Sequence, residues 1–226
     1  MQQILLETIK EMIKKWDVRD IYAFSLFVYD ENDNPSRPTV TLGYNTEQYF
    51  QDSIEDAADE REARWNYAYW PQNEELVFRI GRTRKYIKKW LKLNNFPDIS
   101  DQKIENIDFD KIDDFCFITQ KLVEEFISIV QELHLSGFIR NKFKKDIPIL
   151  IRELEYYDKI AEQNLCANPT DTVADFVRFC KGIYSADRPF RKSTNVWDDN
   201  LNTHARPALL LSKIQQETDP LLLKAK

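Results

Sequence analysis

Glycine is scarce in this chain. Only 4 occur in 226 residues, at Gly43, Gly81, Gly137 and Gly182, each isolated from the others. A Walker loop or a dinucleotide-binding turn needs several glycines at fixed spacing so that backbone N–H groups can approach phosphates, so both are excluded. Histidine is scarcer still, with His134 and His204 alone, and the three cysteines Cys116, Cys166 and Cys180 are scattered. Zinc sites draw on paired Cys and His at short spacing, which is missing. Nucleophilic catalysis needs a thiolate, a base and an orienting group brought together, and the sequence neither shows nor forbids that. A sparse, odd cysteine set reads as reduced thiols and implies no disulfide among the three. Long hydrophobic runs are also missing: Glu7, Lys10, Glu11, Lys14 and Lys15 interrupt the first sixteen residues, which therefore do not read as a signal peptide, and nothing approaches the ~20 apolar residues of a membrane span. These features place the expected protein in the cytoplasm, without a membrane partner and without a cofactor.

What is present is ample core material. Hydrophobic residues make up 42% and aromatics 13%, beside 31% charged residues and a net charge of −6. That composition supports one folded domain and argues mildly against nucleic acid or an anionic membrane as the main partner. The expected organisation is a single domain over residues 1–184 and an irregular extension, with Pro189, Pro207 and Pro220, packed on it over residues 185–226.

Ile4, Leu5, Ile9, Met12, Ile13 and Trp16 recur at helical spacing and predict an amphipathic first helix whose stripe faces the core. Ile21–Tyr29 is apolar on both faces, as a central strand is. After the turn Asp30–Pro35, Val40, Leu42 and Tyr44 alternate with Thr39, Thr41 and Gly43 as a half-exposed partner strand. Asn45 or Thr46 caps a helix expected from Glu47 to Glu62, with Asp52, Glu55, Asp56, Asp59, Glu60 and Glu62 on its outer side. A further strand is expected over Leu76–Ile80, then a helix from Arg82 with Tyr86, Ile87, Trp90 and Leu91 on its buried stripe and lysines elsewhere, then an acidic connection over Asp98–Asp114. The clearest helix carries Phe115, Ile118, Leu122, Phe126, Ile129, Val130 and Leu133 and ends at Gly137. Ile147–Leu154 suits either a strand or a helix. The last helix starts at Pro169–Thr170 with Thr172 and Asp175 as a capping box. Together these predict an α+β fold with a mixed or mostly antiparallel sheet packed by several helices.

Three stretches carry a resemblance: Ile21–Phe27 leading to Gly43-Tyr-Asn-Thr-Glu47, the Arg64-Trp65-x-x-x-x-Trp70 spacing, and Asn164-Leu-Cys-Ala-Asn168-Pro169 before a helix. In this order they resemble the bacterial family called domain of unknown function 4303, over roughly residues 1–181. The resemblance implies an α+β domain and a strand at Ile147; it implies no enzymatic mechanism. Small acidic α+β domains of this kind are similar to the immunity proteins that bacteria keep beside polymorphic toxins.

Candidate functional residues follow from exposure and charge. Asp56, Asp59, Glu60 and Glu62, with Arg64, Tyr67 and Tyr69, form the expected binding surface, while Trp65 and Trp70 are large enough to be core anchors. Neither acidic run has the glycine-bearing loop or ligand spacing of a hard-cation site, so a metal is not expected. The aromatics of the Arg79–Lys92 segment fall on the buried stripe, which leaves a lysine face that balances the neighbouring acidic runs or contacts an acidic partner rather than stacking on bases. The expected function is a non-enzymatic protein-binding role, that of an immunity protein neutralising a toxin domain. The alternatives are a hydrolase-like enzyme using a carboxylate cluster and a nucleic-acid-associated accessory protein.

Overall fold

The computed structural model describes residues 1–79, 81, 83–97, 99, 116–153 and 155–182. The expected C-terminal extension, Ile80, Arg82, most of the acidic connection, Phe115, Leu154 and the side chain of Cys116 lie outside this set. The elements run α1 (Gln2–Lys15), β1 (Ile21–Asp30), β2 (Pro38–Thr46), α2 (Glu47–Ser53), α3 (Glu60–Trp65), β3 (Leu76–Phe78), α4 (Arg84–Leu93), α5 (Cys116–Leu135), α6 (Phe138–Phe143), β4 (Ile149–Arg152), α7 (Asp158–Ala167) and α8 (Thr170–Cys180). The four strands form one mixed sheet in the order β3-β2-β1-β4. β1 is antiparallel to β2 and parallel to β4, with Phe24 opposite Tyr44 on one side and Ile149 on the other. The chain is an α+β domain.

Strand β1 is central because it can bury both faces. Phe24, Leu26 and Val28 enter a core shared with Leu5, Ile9 and Ile13 of α1 and with Ile118, Phe126 and Ile129 of α5. Tyr22 and Ala23 enter a second core with Trp65, Trp70, Ile160, Val173 and Phe176. Trp16 packs on Phe24 with ring centroids 5.3 Å apart and on Tyr44 at 4.8 Å. The helical stripe of α1 is realised, but Ile4 is exposed and Leu6 takes its place in the core.

The second core accounts for a correction. β2 is not half-exposed: Thr39 and Thr41 are buried together with Val40 and Leu42. Gly43 allows Asn73 to close over this face, since a Cβ there would come within 2.2 Å of the Asn73 carbonyl oxygen. The Asn73 side chain then accepts a hydrogen bond from the Tyr44 N–H at 2.9 Å.

The helix expected from Glu47 to Glu62 is two helices. Thr46 caps α2 by accepting from the Tyr49 N–H, but the chain becomes extended at Ala57 and Asp59 starts α3, accepting from the N–H groups of Arg61 and Glu62. Glu62 reaches back to the Ala58 N–H at 2.9 Å. This reciprocal capping satisfies donors that a continuous helix would have used, so a break at Asp59 costs little. At the other end of the domain, Gly137 takes the left-handed conformation (φ 69°) expected of it after α5. The capping box at Thr172 and Asp175 does not form: Thr172 Oγ1 donates to the Pro169 carbonyl and Asp175 pairs with Arg178. Tyr86 is half-buried, whereas Trp90 is buried as expected.

Within the segment Ile147–Leu154, residues Ile149–Arg152 form strand β4, and helix α7 follows from Asp158, which the ambiguous periodicity hid. β4 is an edge strand, and its outer edge is covered by side-chain amides. Asn168 accepts from the Ile149 N–H at 2.7 Å and donates to the Ile149 carbonyl at 3.0 Å. Asn164, one turn earlier, accepts from the Ile151 N–H at 2.8 Å and donates to its carbonyl at 2.6 Å. Residues four apart lie on one helix face, so α7 presents two amides at the repeat of alternate strand residues and stands in for a fifth strand. An uncovered edge would be a template for pairing with another chain.

Candidate functional site

The Arg64–Trp70 segment is a structural node. The Arg64 carbonyl accepts from Tyr22 Oη at 2.6 Å and from Trp70 Nε1 at 2.9 Å, and Asn45 Nδ2 donates to Tyr22 Oη at 3.0 Å. The Arg64 guanidinium makes two hydrogen bonds to Glu47, at 2.7 and 3.1 Å, and lies 4.5 Å from the Tyr22 ring centroid and 4.1 Å from that of Phe50. Burial pushes the Tyr22 phenol well above its ordinary range, against the opposing pull of Arg152 and Arg64. Trp65 and Trp70 are buried core anchors. The expectation of an exposed Arg64, Tyr67 and Tyr69 is corrected: all three are half-buried. Tyr67 stacks on Phe27 with centroids 4.5 Å apart and planes 10° from parallel, and its N–H donates to Tyr156 Oη.

Asp56, Asp59 and Glu60 are exposed, as are Asp52 and Glu55, while Glu62 is partly buried by its capping role. These carboxylates follow one another along the break between α2 and α3. Among the described residues, none of Asp52, Glu55, Asp56, Asp59 and Glu60 joins a salt bridge. The break is held at one end by the Glu47–Arg64 pair and at the other by Trp65, which packs edge-on to Tyr22 at 5.9 Å and to Phe176 at 5.8 Å. The acidic face therefore sits on a fixed base. On α4, Arg84, Lys85, Lys88, Lys89 and Lys92 are exposed as a basic face.

A residue the sequence reading did not single out, Arg152, lies at the centre of the second core and is fully buried. Its guanidinium is 3.9 Å from the Trp70 ring centroid and 5.3 Å from that of Tyr67, and Nη1 donates to the Trp65 carbonyl at 3.1 Å. Nε and Nη2 are buried without a hydrogen-bond partner among the described residues. The aromatic faces replace a carboxylate in holding the cation. The sequence gives little sign of this, since Arg152 ends the apolar run from Ile147 and is followed directly by Glu153.

A cleft of about 500 Å³ opens between α5 and α7, beside the C-terminal ends of the parallel strands β1 and β4. Asp30, the last residue of β1, accepts from Thr119 Oγ1 at 3.1 Å, and Glu153, just past β4, accepts from Tyr157 Oη at 3.0 Å. Burial raises the proton affinity of the Asp30 carboxyl, Thr119 opposes this, and Glu153 and Asp33 add to it. Burial and the Glu153 carboxylate push Tyr157 up to about 12.

Cys166 and Cys180 are free and buried, and burial pushes their thiols up to about 11 and about 12. Burial lowers the pKa of His134, at the end of α5, below the ordinary histidine value. Its Nε2 lies 3.1 Å from Asn168 Oδ1, and since that oxygen also receives the Ile149 N–H, Nε2 is the donor. Among the described residues, no three His, Cys, Asp or Glu side chains converge as a metal site, and no helix is long and apolar enough to cross a membrane.

Comparison with known proteins returns no matching family model, no curated relative and no similar solved structure.

Proposed function

We propose that this chain is a non-enzymatic binding protein of the immunity type, one that neutralises a bacterial toxin domain through the acidic face of residues 52–62. The observation that carries this reading is the set of exposed carboxylates at Asp52, Glu55, Asp56, Asp59 and Glu60, free of ion pairs among the described residues and mounted on a fixed base. A preorganised surface loses little freedom on binding. A single-sign patch steers a basic partner, such as a cleft that handles a polyanion, and accelerates its association. The resemblance to domain of unknown function 4303 belongs to this proposal. Two of its motifs touch beneath the acidic face, Tyr22 and Asn45 with Arg64 and Trp70, while Asn164 and Asn168 lie on the outer edge of β4.

The test is association with the product of the neighbouring gene, measured for the parent and for two variants at low and high salt. Asp56→Asn with Glu60→Gln leaves the helix caps untouched; adding Asp59→Asn and Glu62→Gln keeps capping atoms in place while removing two more charges. The expected result is an association rate about tenfold lower at low salt for the quadruple variant, converging with the parent at high salt. Unchanged rates and full protection of cells by both variants would reduce the acidic face to a solvated surface.

One observation favours a second reading, a hydrolase-like enzyme using a carboxylate cluster. Burial raises the proton affinity of Asp30, which lines a cleft together with Glu153, and two carboxyl groups facing one cleft are an arrangement that acid–base chemistry uses. Hydrolysis of nucleotide or ester substrates by the parent, lost in Asp30→Asn, would establish it in place of the binding role.

A further inference from the structure

Arg152 enters the second core with one of its three nitrogens satisfied. Nη1 donates to the Trp65 carbonyl at 3.1 Å, whereas Nε and Nη2 have no hydrogen-bond partner among the described residues, in a side chain that is 0% exposed. The N–H of Nε and the near N–H of Nη2 point the same way in the plane of the guanidinium and form its side-on fork, the edge that takes an anion. The rings of Trp70, Tyr67 and Phe176, with centroids 3.9, 5.3 and 5.7 Å from Cζ, attract the cation through their faces and offer no lone pair to that fork. No negative charge answers it either. Among the described residues Arg152 joins no salt bridge, and no Asp or Glu is buried. Tyr22, Tyr67 and Cys180, acids on which the Arg152 charge acts, are held by burial in their neutral forms. Ser25 adds a second orphaned group. Phe27 is the register partner of Arg152 across the parallel pair, and Ser25, two residues earlier, lies on the same face of the sheet, its hydroxyl buried and unpartnered among the described residues.

We propose that the side-on fork of Arg152 binds one chloride ion inside the second core. A buried charge is stable only when it is paired and hydrogen-bonded, and a halide does both at one centre, accepting two N–H groups and supplying the missing negative charge. Enclosure selects the class of anion. Both fork nitrogens are sealed among rings and apolar side chains, so the ligand is a single atom rather than a carboxylate with a carbon chain behind it. A doubly charged oxyanion is disfavoured further, because the Born cost of leaving water rises with the square of the charge. Aromatic ring edges carry partial positive charge and tolerate an anion beside them. Water would satisfy the N–H groups but leave the cation uncompensated. The turn Tyr67–Tyr69 lies over this part of the core: Tyr67 stacks on Phe27, and its N–H donates to Tyr156 Oη at 2.7 Å. The ion therefore enters when this turn opens or as the core closes during folding.

The full chain would be unfolded in urea at constant pH and ionic strength, with sodium chloride exchanged stepwise for sodium gluconate. A ligand bound by the native state alone divides the folded chain's unfolding constant by 1 + [L]/Kd, so above Kd that constant should fall about tenfold for each tenfold rise in chloride. Bromide should act as chloride does, and sulfate should not. In Arg152→Met the dependence should vanish, while in gluconate this variant should be nearly as stable as the parent. Lys85→Gln with Lys89→Gln, on the exposed basic face of α4, should keep the parent's dependence, which separates the core site from anions gathered at the surface. Crystals of the parent grown in sodium bromide read the site directly, even if Arg152→Met fails to fold: one anomalous peak is expected within hydrogen-bond distance of Nε and Nη2. Stability of the parent independent of chloride, the same dependence in Arg152→Met, a dependence lost with the two lysines, or a fork that holds only water in bromide would each overturn the proposal.

Discussion

Replacing Asn164 by Ala would remove one of the two amides that stand in for a missing strand. In the parent, the Ile151 N–H has Asn164 Oδ1 as its acceptor at 2.8 Å, in a position with no access to water, since Ile151 is fully buried. The Ile151 carbonyl keeps Gln163 Nε2 at 2.8 Å, so the loss falls on the donor side. A buried N–H left unpaired costs ~1–3 kcal/mol. With the small void left by the truncated amide, the expected destabilisation is ~2–3 kcal/mol, or ~4–12 °C in Tm for a domain of this size. Urea unfolding gives the energy, and amide hydrogen exchange gives the address: Ile151 should exchange faster in Asn164→Ala while Ile149, held by Asn168, stays protected. Asn164→Asp sharpens the test. At neutral pH it keeps an acceptor for the N–H but sets a buried carboxylate against the Ile151 carbonyl, so its folded pKa is raised above its unfolded value and it should be less stable than Asn164→Ala. The sign of that shift means the defect shrinks as pH falls, because the protonated carboxyl can donate again. An Asn164→Ala protein with an unchanged midpoint and unchanged protection at Ile151 would refute the amide-for-strand account.

Arg152→Ala should cost ~3 kcal/mol or more through the cavity it opens, whereas Arg152→Met, which fills the volume and removes the two unpartnered N–H groups, should cost less than ~1 kcal/mol; equal losses in chemical denaturation would mean that the stacking on Trp70 and Tyr67, rather than volume, holds the site. His134 is kept neutral by burial, so its folded pKa lies below the unfolded value of about 6.5, and its contribution is present above that pH and lost as pH falls through it. Unfolding midpoints measured across this range should decline toward acid in the parent and less so in His134→Gln; identical slopes would contradict the assignment. Cys166 and Cys180, with thiols pushed to about 11 and about 12, should resist iodoacetamide at neutral pH in the native protein and react in denaturant, as peptide mapping would show. Rapid native labelling of either would show that its burial is wrong.

Much of the fold could be read from local pattern. The stripe of α5 that places Phe126 and Ile129 in the core is a period of 3.6 sustained over five turns, and the two apolar faces of β1 announce a strand with neighbours on both sides. Trp16, Phe24, Leu26, Phe126 and Ile129 share one core as their spacing required. The acidic residues of the candidate face were legible because charge runs stay in water. Arg64 and Tyr67 were not, because an aromatic or arginine has the same sequence appearance whether it stacks in the interior or projects from the surface.

The sequence by itself determined which residues avoid water, where the strong helices begin and end, and that the chain is α+β. It could not determine partners across long separations. Whether Ile149–Arg152 is a strand depended on β1 being available alongside it, more than a hundred residues earlier in the chain. Whether Asn164 and Asn168 are polar surface or a substitute strand depended on the backbone they meet, and whether Arg152 could be buried depended on Trp65, Tyr67 and Trp70 arriving from another element. Periodicity fixes the face a side chain occupies; the identity of the group opposite is set only when the chain closes on itself, and the amide ladder, the arginine cage and the cleft of Asp30 and Glu153 all arise at that step.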